Sequence, residues 1–328
     1  MQFAVKDGYL PESFVNFRQK YIVTWDIESL EQKPPVYDES NVQALQNVCC
    51  VSIASNLPYP DQYFVRESSA PEAACTLVNS FLNHLFKLQE IYVSLIPDEI
   101  SSAIKKLERD IKTSKYSKAQ CHQKSMLRFL KQYFTLPCYA FNGSRYDLPC
   151  LIGLIFNYCQ KNECTFQSLK KGTGYMVINI SKQIGERTAS ITCRDTLKYT
   201  APCKLSTYLK QWGADLSKSI FPYSLYNSIE ELEEACEFPP YEDFYSELTQ
   251  SNVERSEYDL ARSEFYRRQL LPSDHPDHIY SMKCWLKYYC CLDTKPLVQA
   301  MENAFQKFSF YFNVDPNMHL SLPTLAFK

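Results

Sequence analysis

The run Tyr21-Ile22-Val23-Thr24-Trp25 consists of β-branched and aromatic residues and leads straight into Asp26-Ile27-Glu28. Such residues favour a pleated, half-buried strand, and the strand period of two puts Asp26 and Glu28 on one face. The chain must therefore build a sheet in which a strong strand ends on two neighbouring carboxylates. Two anions so placed repel one another and are costly without a cation between them. An oxygen-only pair suits hard divalent ions such as Mg2+ or Mn2+. No other aspartate in the chain is followed two residues later by glutamate.

The pattern around this strand predicts a mixed architecture. Residues 48–55 read as a second strand at hairpin distance, and residues 71–88 space Ala74, Leu77, Val78, Phe81, Leu82 and Leu85 as a helix. Residues 101–131 continue as two polar, lysine-rich helices. Residues 138–141 then read as a buried strand, Asn142-Gly143-Ser144 as a turn and residues 147–160 as an apolar helix. A hairpin is expected from 175–180 and 189–193 about Ile184-Gly185-Glu186, followed by a short helix over 205–212 that Gly213 suits as a C-cap. Residues 278–308 are helical, with Pro296 expected to kink the helix or start a new one. Hairpins followed by strand–helix units indicate an α/β or α+β fold with a mixed sheet and flanking helices.

Composition removes several function classes. At 328 residues with 45% hydrophobic and 22% charged residues, the chain is an ordinary globular sequence with no run long enough to span a membrane. Its first ten residues mix Gln2, Lys6 and Asp7 with apolar residues, unlike a secretory signal. The fourteen cysteines are scattered, with no C-x-x-C, and are expected as reduced thiols in an intracellular setting, cytoplasm or nucleus. Seven glycines form neither a Walker loop nor a G-x-G-x-x-G, which excludes those ATP and dinucleotide motifs. The net charge of -2 hides a segregation: residues 105–131 carry nine Lys/Arg against Glu108 and Asp110, while residues 229–259 carry eleven acids against Arg255 alone. The first stretch suits phosphates and the second repels them.

Two further segments supply carboxylates. In Asn142-Gly143-Ser144-Arg145-Tyr146-Asp147, between a buried strand and a helix, Asp147 falls at a helix N-terminus, where it can cap or face a metal. Asn142 and Tyr146 could hold a substrate by hydrogen bonding and stacking. In Tyr289-Cys290-Cys291-Leu292-Asp293, helical spacing puts the phenol and the carboxylate on one face. The same spacing recurs in Tyr311 and Asp315, but Pro316 disfavours helix at that copy.

Taken together and in this order, the three segments resemble the DEDD-type exonucleases of the tyrosine subclass, with a ribonuclease-H-like fold. The resemblance implies two divalent ions, Mg2+ or Mn2+, held by Asp26, Glu28, Asp147 and Asp293, with Tyr289 orienting the attacking water. Neighbouring residues narrow it to the N-terminal exonuclease domain of protein-primed family B DNA polymerases of phages, adenoviruses, linear plasmids and Polinton-like elements. Asn142 to Asp147 is similar to that group's N-x-x-x-(F/Y)-D form, and Arg194-Asp195-Thr196-Leu197 to its Ser/Thr-Leu segment. Lys218-Ser219-Ile220-Phe221-Pro222 is similar to its lysine motif. The resemblance implies that Ser29, Asn142, Tyr146, Thr196 and Leu197 contact single-stranded DNA and that Lys218 neutralises the scissile phosphate.

On this reading residues 1–20 are an N-terminal extension, 21–312 the 3′→5′ exonuclease domain with an acidic insert at 229–259, and 313–328 a linker toward a polymerase palm. The expected partners are a single-stranded DNA 3′ end, a terminal priming protein and a polymerase domain, with no membrane. The polymerase motifs, an aspartate-led S-L-Y-P and Tyr-x-Asp-Thr-Asp, do not occur; Ser224-Leu225-Tyr226 lacks the proline and the metal-ligand aspartate. A non-catalytic module that binds DNA or a priming protein, left from a mobile element, is the alternative from a different class. An RNA-trimming exonuclease would use the same chemistry.

Overall fold

The computed structural model describes residues 1–32, 45–113, 117–185, 187–214, 219–246 and 250–326. Its centre is β1 (Val23–Gln32), which pairs antiparallel with β2 (Leu45–Ser55), itself paired antiparallel with β3 (Gln62–Val65). On its other edge β1 pairs in parallel with β4 (Thr135–Ala140), but only at Val23 and Thr24. The sheet continues through β7 (Arg187–Asp195), β6 (Gly174–Ile184) and β5 (Thr165–Lys171), giving seven strands in the order β3-β2-β1-β4-β7-β6-β5. Both parallel and antiparallel pairs occur. The mixed α/β class read from the sequence is the fold observed, and it is compatible with a ribonuclease-H-like sheet.

Asp26 does not end its strand. Strand β1 runs on to Gln32, with a register shift between Glu28 and Ser29, because β2 pairs along its length and Leu30 is buried with Cys49 and Cys50. Pairing and burial override the poor strand propensity of the acids. Strand β5, which the alternation does not reveal, is a largely exposed edge strand, so it has no buried face to impose a period of two.

One face of the sheet carries α2 (Pro71–Ser94) and α5 (Asp147–Lys161). Helix α2 buries Leu77, Val78, Phe81, Leu82, Leu85 and Leu88 at helical spacing against Trp25, Ile27, Val51 and Ile53. Each side chain so buried contributes roughly 1.5–3 kcal/mol. The opposite face is crossed by α9 (Met282–Phe312), which runs unbroken through Pro296. Between these come α3 (Asp98–Thr113), α4 (Ser117–Gln132), α6 (Leu205–Gln211), α7 (Ile229–Glu234) and α8 (Arg255–Gln269).

The period of two divides β1 between the layers. Val23, Trp25 and Ile27 join the α2/α5 core. Thr24 faces α9, its hydroxyl donating to the carbonyl of Thr294 at 2.8 Å, while Ser52, opposite Asp26 in β2, donates to the carbonyl of Cys290 at 2.8 Å. These two buried bonds fix the height and rotation of α9 over the strand. The described part of the acidic segment 229–259 includes α7, a 3-10 turn at Tyr241–Phe244 and the start of α8, and Ile229, Leu232, Phe238, Phe244 and Tyr258 bury against Trp285 and Leu286 of α9. Helices α3 and α4 share a separate core with Ala4 of α1 (Gln2–Lys6) and with Leu10 and Phe14.

Candidate active site

With α9 fixed by Thr24 and Ser52, its Tyr289 and Asp293 face β1, and Asp26 and Glu28 face them. Glu28 and Tyr289 are buried, whereas Asp26 and Asp293 are partly exposed. Asp147 opens α5 and is buried. It reaches the same place because β1 and β4 part after Thr24 and Tyr139, leaving the Ile27 N–H free to donate to the Asp147 carboxylate. The structure thus brings together Asp26, Glu28, Asp147, Asp293 and Tyr289.

Their electrostatics record the proximity. Withdrawal from water, then Asp147, Glu28 and Asp293, push the Asp26 carboxyl well above its usual range. Asp147 is raised to about 7, chiefly by burial and further by Asp195, against the lowering effect of its own N–H and that of Ile27. Burial, Glu28 and Asp293 raise the Tyr289 phenol, so it is a neutral hydrogen-bond donor at neutral pH. The strongest charged neighbours of Asp26 are all acids. Such a cluster is a poor place for a proton-free carboxylate and a good one for a divalent cation. The donor set of four carboxylates fits Mg2+ or Mn2+.

The loop before α5 is held by specific close contacts. Asn142 has φ +63°, a left-handed conformation that asparagine tolerates better than most residues. Gly143 is required: a Cβ there would stand 2.6 Å from the Cβ of Ala140. Buried Asp195 anchors the loop by accepting the Ser144 N–H at 3.3 Å, and accepts the Leu197 N–H at 2.9 Å with its other oxygen. Tyr146 stays exposed at the mouth of the site, its hydroxyl 2.6 Å from that of Ser29, which also donates to Gln46 at 2.7 Å.

The remaining candidates are placed differently. Thr196 is completely buried and its hydroxyl points at the sulfur of Met301, 3.5 Å away, while Leu197 is partly exposed. Lys218 lies outside the described residues. The Tyr311 and Asp315 copy does not form a site: Tyr311 is exposed at the end of α9 and Asp315 caps the following 3-10 turn.

Two residues at the site carry no sequence signal of their own. Tyr223 follows Pro222 on a strap fixed by the Trp285 indole donating to the Ile220 carbonyl at 3.0 Å. Its hydroxyl bonds to Glu28 and its ring packs edge-on against Tyr289, centroids 6.1 Å apart. No local spacing marks it, since the two partners of the hydrogen bond lie 195 positions apart. The second is Cys290, whose thiol lies beside Asp26 and Glu28. The sequence marks it only as one of two adjacent cysteines, and all fourteen cysteines are free thiols, as their spacing implies.

No protein-family model matches the chain, and no curated protein matches it. Among solved structures the chain is similar to phi29 DNA polymerase complexed with primer-template DNA and incoming nucleotide substrates, with a TM-score of 0.38 and 11% sequence identity. The match covers 89% of this chain and 32% of that one, so the chain spans about a third of the polymerase's length.

Proposed function

We propose that this chain is a metal-dependent 3′→5′ exonuclease acting on single-stranded DNA ends, of the kind that proofreads in protein-primed family B DNA polymerases. The observation that carries the reading is the convergence of Asp26, Glu28, Asp147 and Asp293, from three separate elements, around the Tyr289 phenol. The motif resemblance of the three segments contributes the DNA substrate and the polarity.

In this reading the four carboxylates hold two divalent ions, which when bound supply an activated water and charge stabilisation at the leaving 3′ oxygen. Tyr289, kept protonated by burial and by the acids around it, would donate a hydrogen bond that orients the water. Tyr223 fixes Glu28 through its hydroxyl. Exposed Tyr146, tied to Ser29, offers a face for the terminal base, Asn142 holds the backbone beside it, and Leu197 packs on the next nucleotide. Lys218 neutralises the scissile phosphate. Thr196 acts by packing rather than by touching DNA, because it is buried. The protein works in a reducing compartment, on DNA ends delivered by a polymerase domain and a priming protein. No described helix is long and apolar enough to cross a membrane.

Digestion of 3′-labelled and 5′-labelled single-stranded DNA with Mg2+ or Mn2+, beside the same sequence as RNA, tests the proposal. Early release of the 3′ label as mononucleotide, a descending ladder from the 5′ label and slower cleavage of RNA are expected. Tight DNA binding without metal and no release under any divalent ion would instead identify a non-catalytic binding module.

A further inference from the structure

The carboxylate plan needs no sulfur, yet one lies beside two of its four acids. The Sγ of Cys290 and one carboxylate oxygen each of Asp26 and Glu28 lie within 4.8 Å of one another. Cys290 is fully buried, and its thiol contacts are weak: the Ser52 hydroxyl at 3.3 Å, the Asp26 carbonyl at 3.8 Å and the Cys50 thiol. A tetrahedral ion with ligand bonds of about 2.0–2.3 Å wants donors roughly 3.5 Å apart, a modest contraction of this triangle. Hard ions ignore a thiol, whereas Zn2+ and Cd2+ prefer one.

We propose that Cys290 gives the site a second coordination mode, in which a thiophilic divalent ion, Zn2+ or Cd2+, is bound by Asp26, Glu28 and the Cys290 thiolate and shuts out the hard ions that hydrolysis needs. The inference rests on Asp26 and Glu28 being metal ligands, as in the proposed function, and does not depend on the nuclease reaction. As the sulfur–metal bond forms, the S–H bond breaks and its proton leaves to water; no electrons are transferred. The occupied site is a closed, inhibited state.

The probe is Cd2+ alone, added to the full chain without nucleic acid and followed by sulfur-to-cadmium charge-transfer absorption. Exposed thiols such as Cys121 and Cys236 contribute background, so the informative signal is the part lost in the Asp26→Ala, Glu28→Ala double variant. That part is expected to disappear also in Cys290→Ser, with Cd2+ binding at the site weakened about tenfold or more, and to persist in Cys291→Ser. A band of wild-type strength in Cys290→Ser overturns the proposal. Because Cys290 is a core residue, the carboxylates give an independent arm: a cadmium–thiolate band undiminished in the double variant also overturns it. If DNA digestion fails while the carboxylate- and Cys290-dependent band is present, only the nuclease reading falls.

Discussion

At the scale of single residues, Asp147 links the site to pH. Its carboxyl titrates near 7 in the folded chain against 3.8 when free, so the folded state holds the proton more tightly. Its contribution to stability is therefore fully present below about pH 4 and is lost as pH rises to about 7. Asp26 is displaced in the same direction, and the acids around the pair, Glu28, Asp293 and Asp195, all oppose ionisation. In chelator, Asp147→Asn should raise the melting temperature relative to wild type at about pH 8 and make little difference at about pH 4. The gain is about 1.4 kcal/mol for every tenfold difference in proton affinity that the substitution abolishes. Mn2+ should stabilise wild type more at about pH 8 than at about pH 5, and the asparagine variant little at either; melts at both pH values check this. Tyr223→Phe should keep the fold and weaken Mn2+ binding about tenfold by freeing Glu28, which a calorimetric titration reads. Asp26, Glu28, Asp147, Tyr289 and Asp293 are legible in the sequence because each sits at a fixed spacing on an element that local pattern reveals. Tyr223 and Cys290 are not, because they meet Glu28 and Asp26 only when distant elements pack.

At the scale of elements, the register between α9 and the sheet decides whether the site exists. Ser52→Ala leaves the Cys290 carbonyl without its buried donor and should cost about 1–3 kcal/mol. A displacement of α9 would also separate Asp293 from Asp26, so catalysis should fall further than stability. Thr24→Val should act alike through the Thr294 carbonyl. Chemical denaturation paired with nuclease rates measures both; full activity in the double variant would contradict a positioning role. Gly143→Ala should disturb the loop before α5 at a comparable cost of about 1–3 kcal/mol from overpacking, since its Cβ meets that of Ala140 at 2.6 Å. The helices α2 and α5 are readable from apolar spacing over many turns, and the β6–β7 hairpin from its glycine turn. Two features are less so. Strand β1 outruns its favourable residues because β2 pairs with it, and α9 continues through Pro296 because tertiary packing outweighs the one backbone hydrogen bond that proline cannot make.

At the scale of the whole molecule, charge is segregated as the sequence indicates. The described part of the basic stretch forms α3 and α4, with Lys105, Lys106, Arg109 and Lys112 exposed, whereas in the acidic segment it is the apolar residues, such as Ile229, Leu232 and Phe238, that pack against α9. If the basic helices guide single-stranded DNA, replacing Lys105, Arg109 and Lys112 by glutamine should weaken binding and flatten its salt dependence by about 0.7 for each phosphate no longer neutralised. The rate on DNA already bound should not change. Fluorescence anisotropy across a salt series, beside single-turnover digestion, separates the two effects. In the proposed function Asp26 and Glu28, with Asp147 and Asp293, would hold the divalent ions on which DNA cleavage depends. The most direct test is nucleotide release from a 3′-labelled single strand in Mn2+ by wild type and by the folded Asp26→Ala, Glu28→Ala double variant. Wild type should release the terminal nucleotide and the variant should lose activity by about a thousandfold or more; undiminished release by the variant would contradict the account.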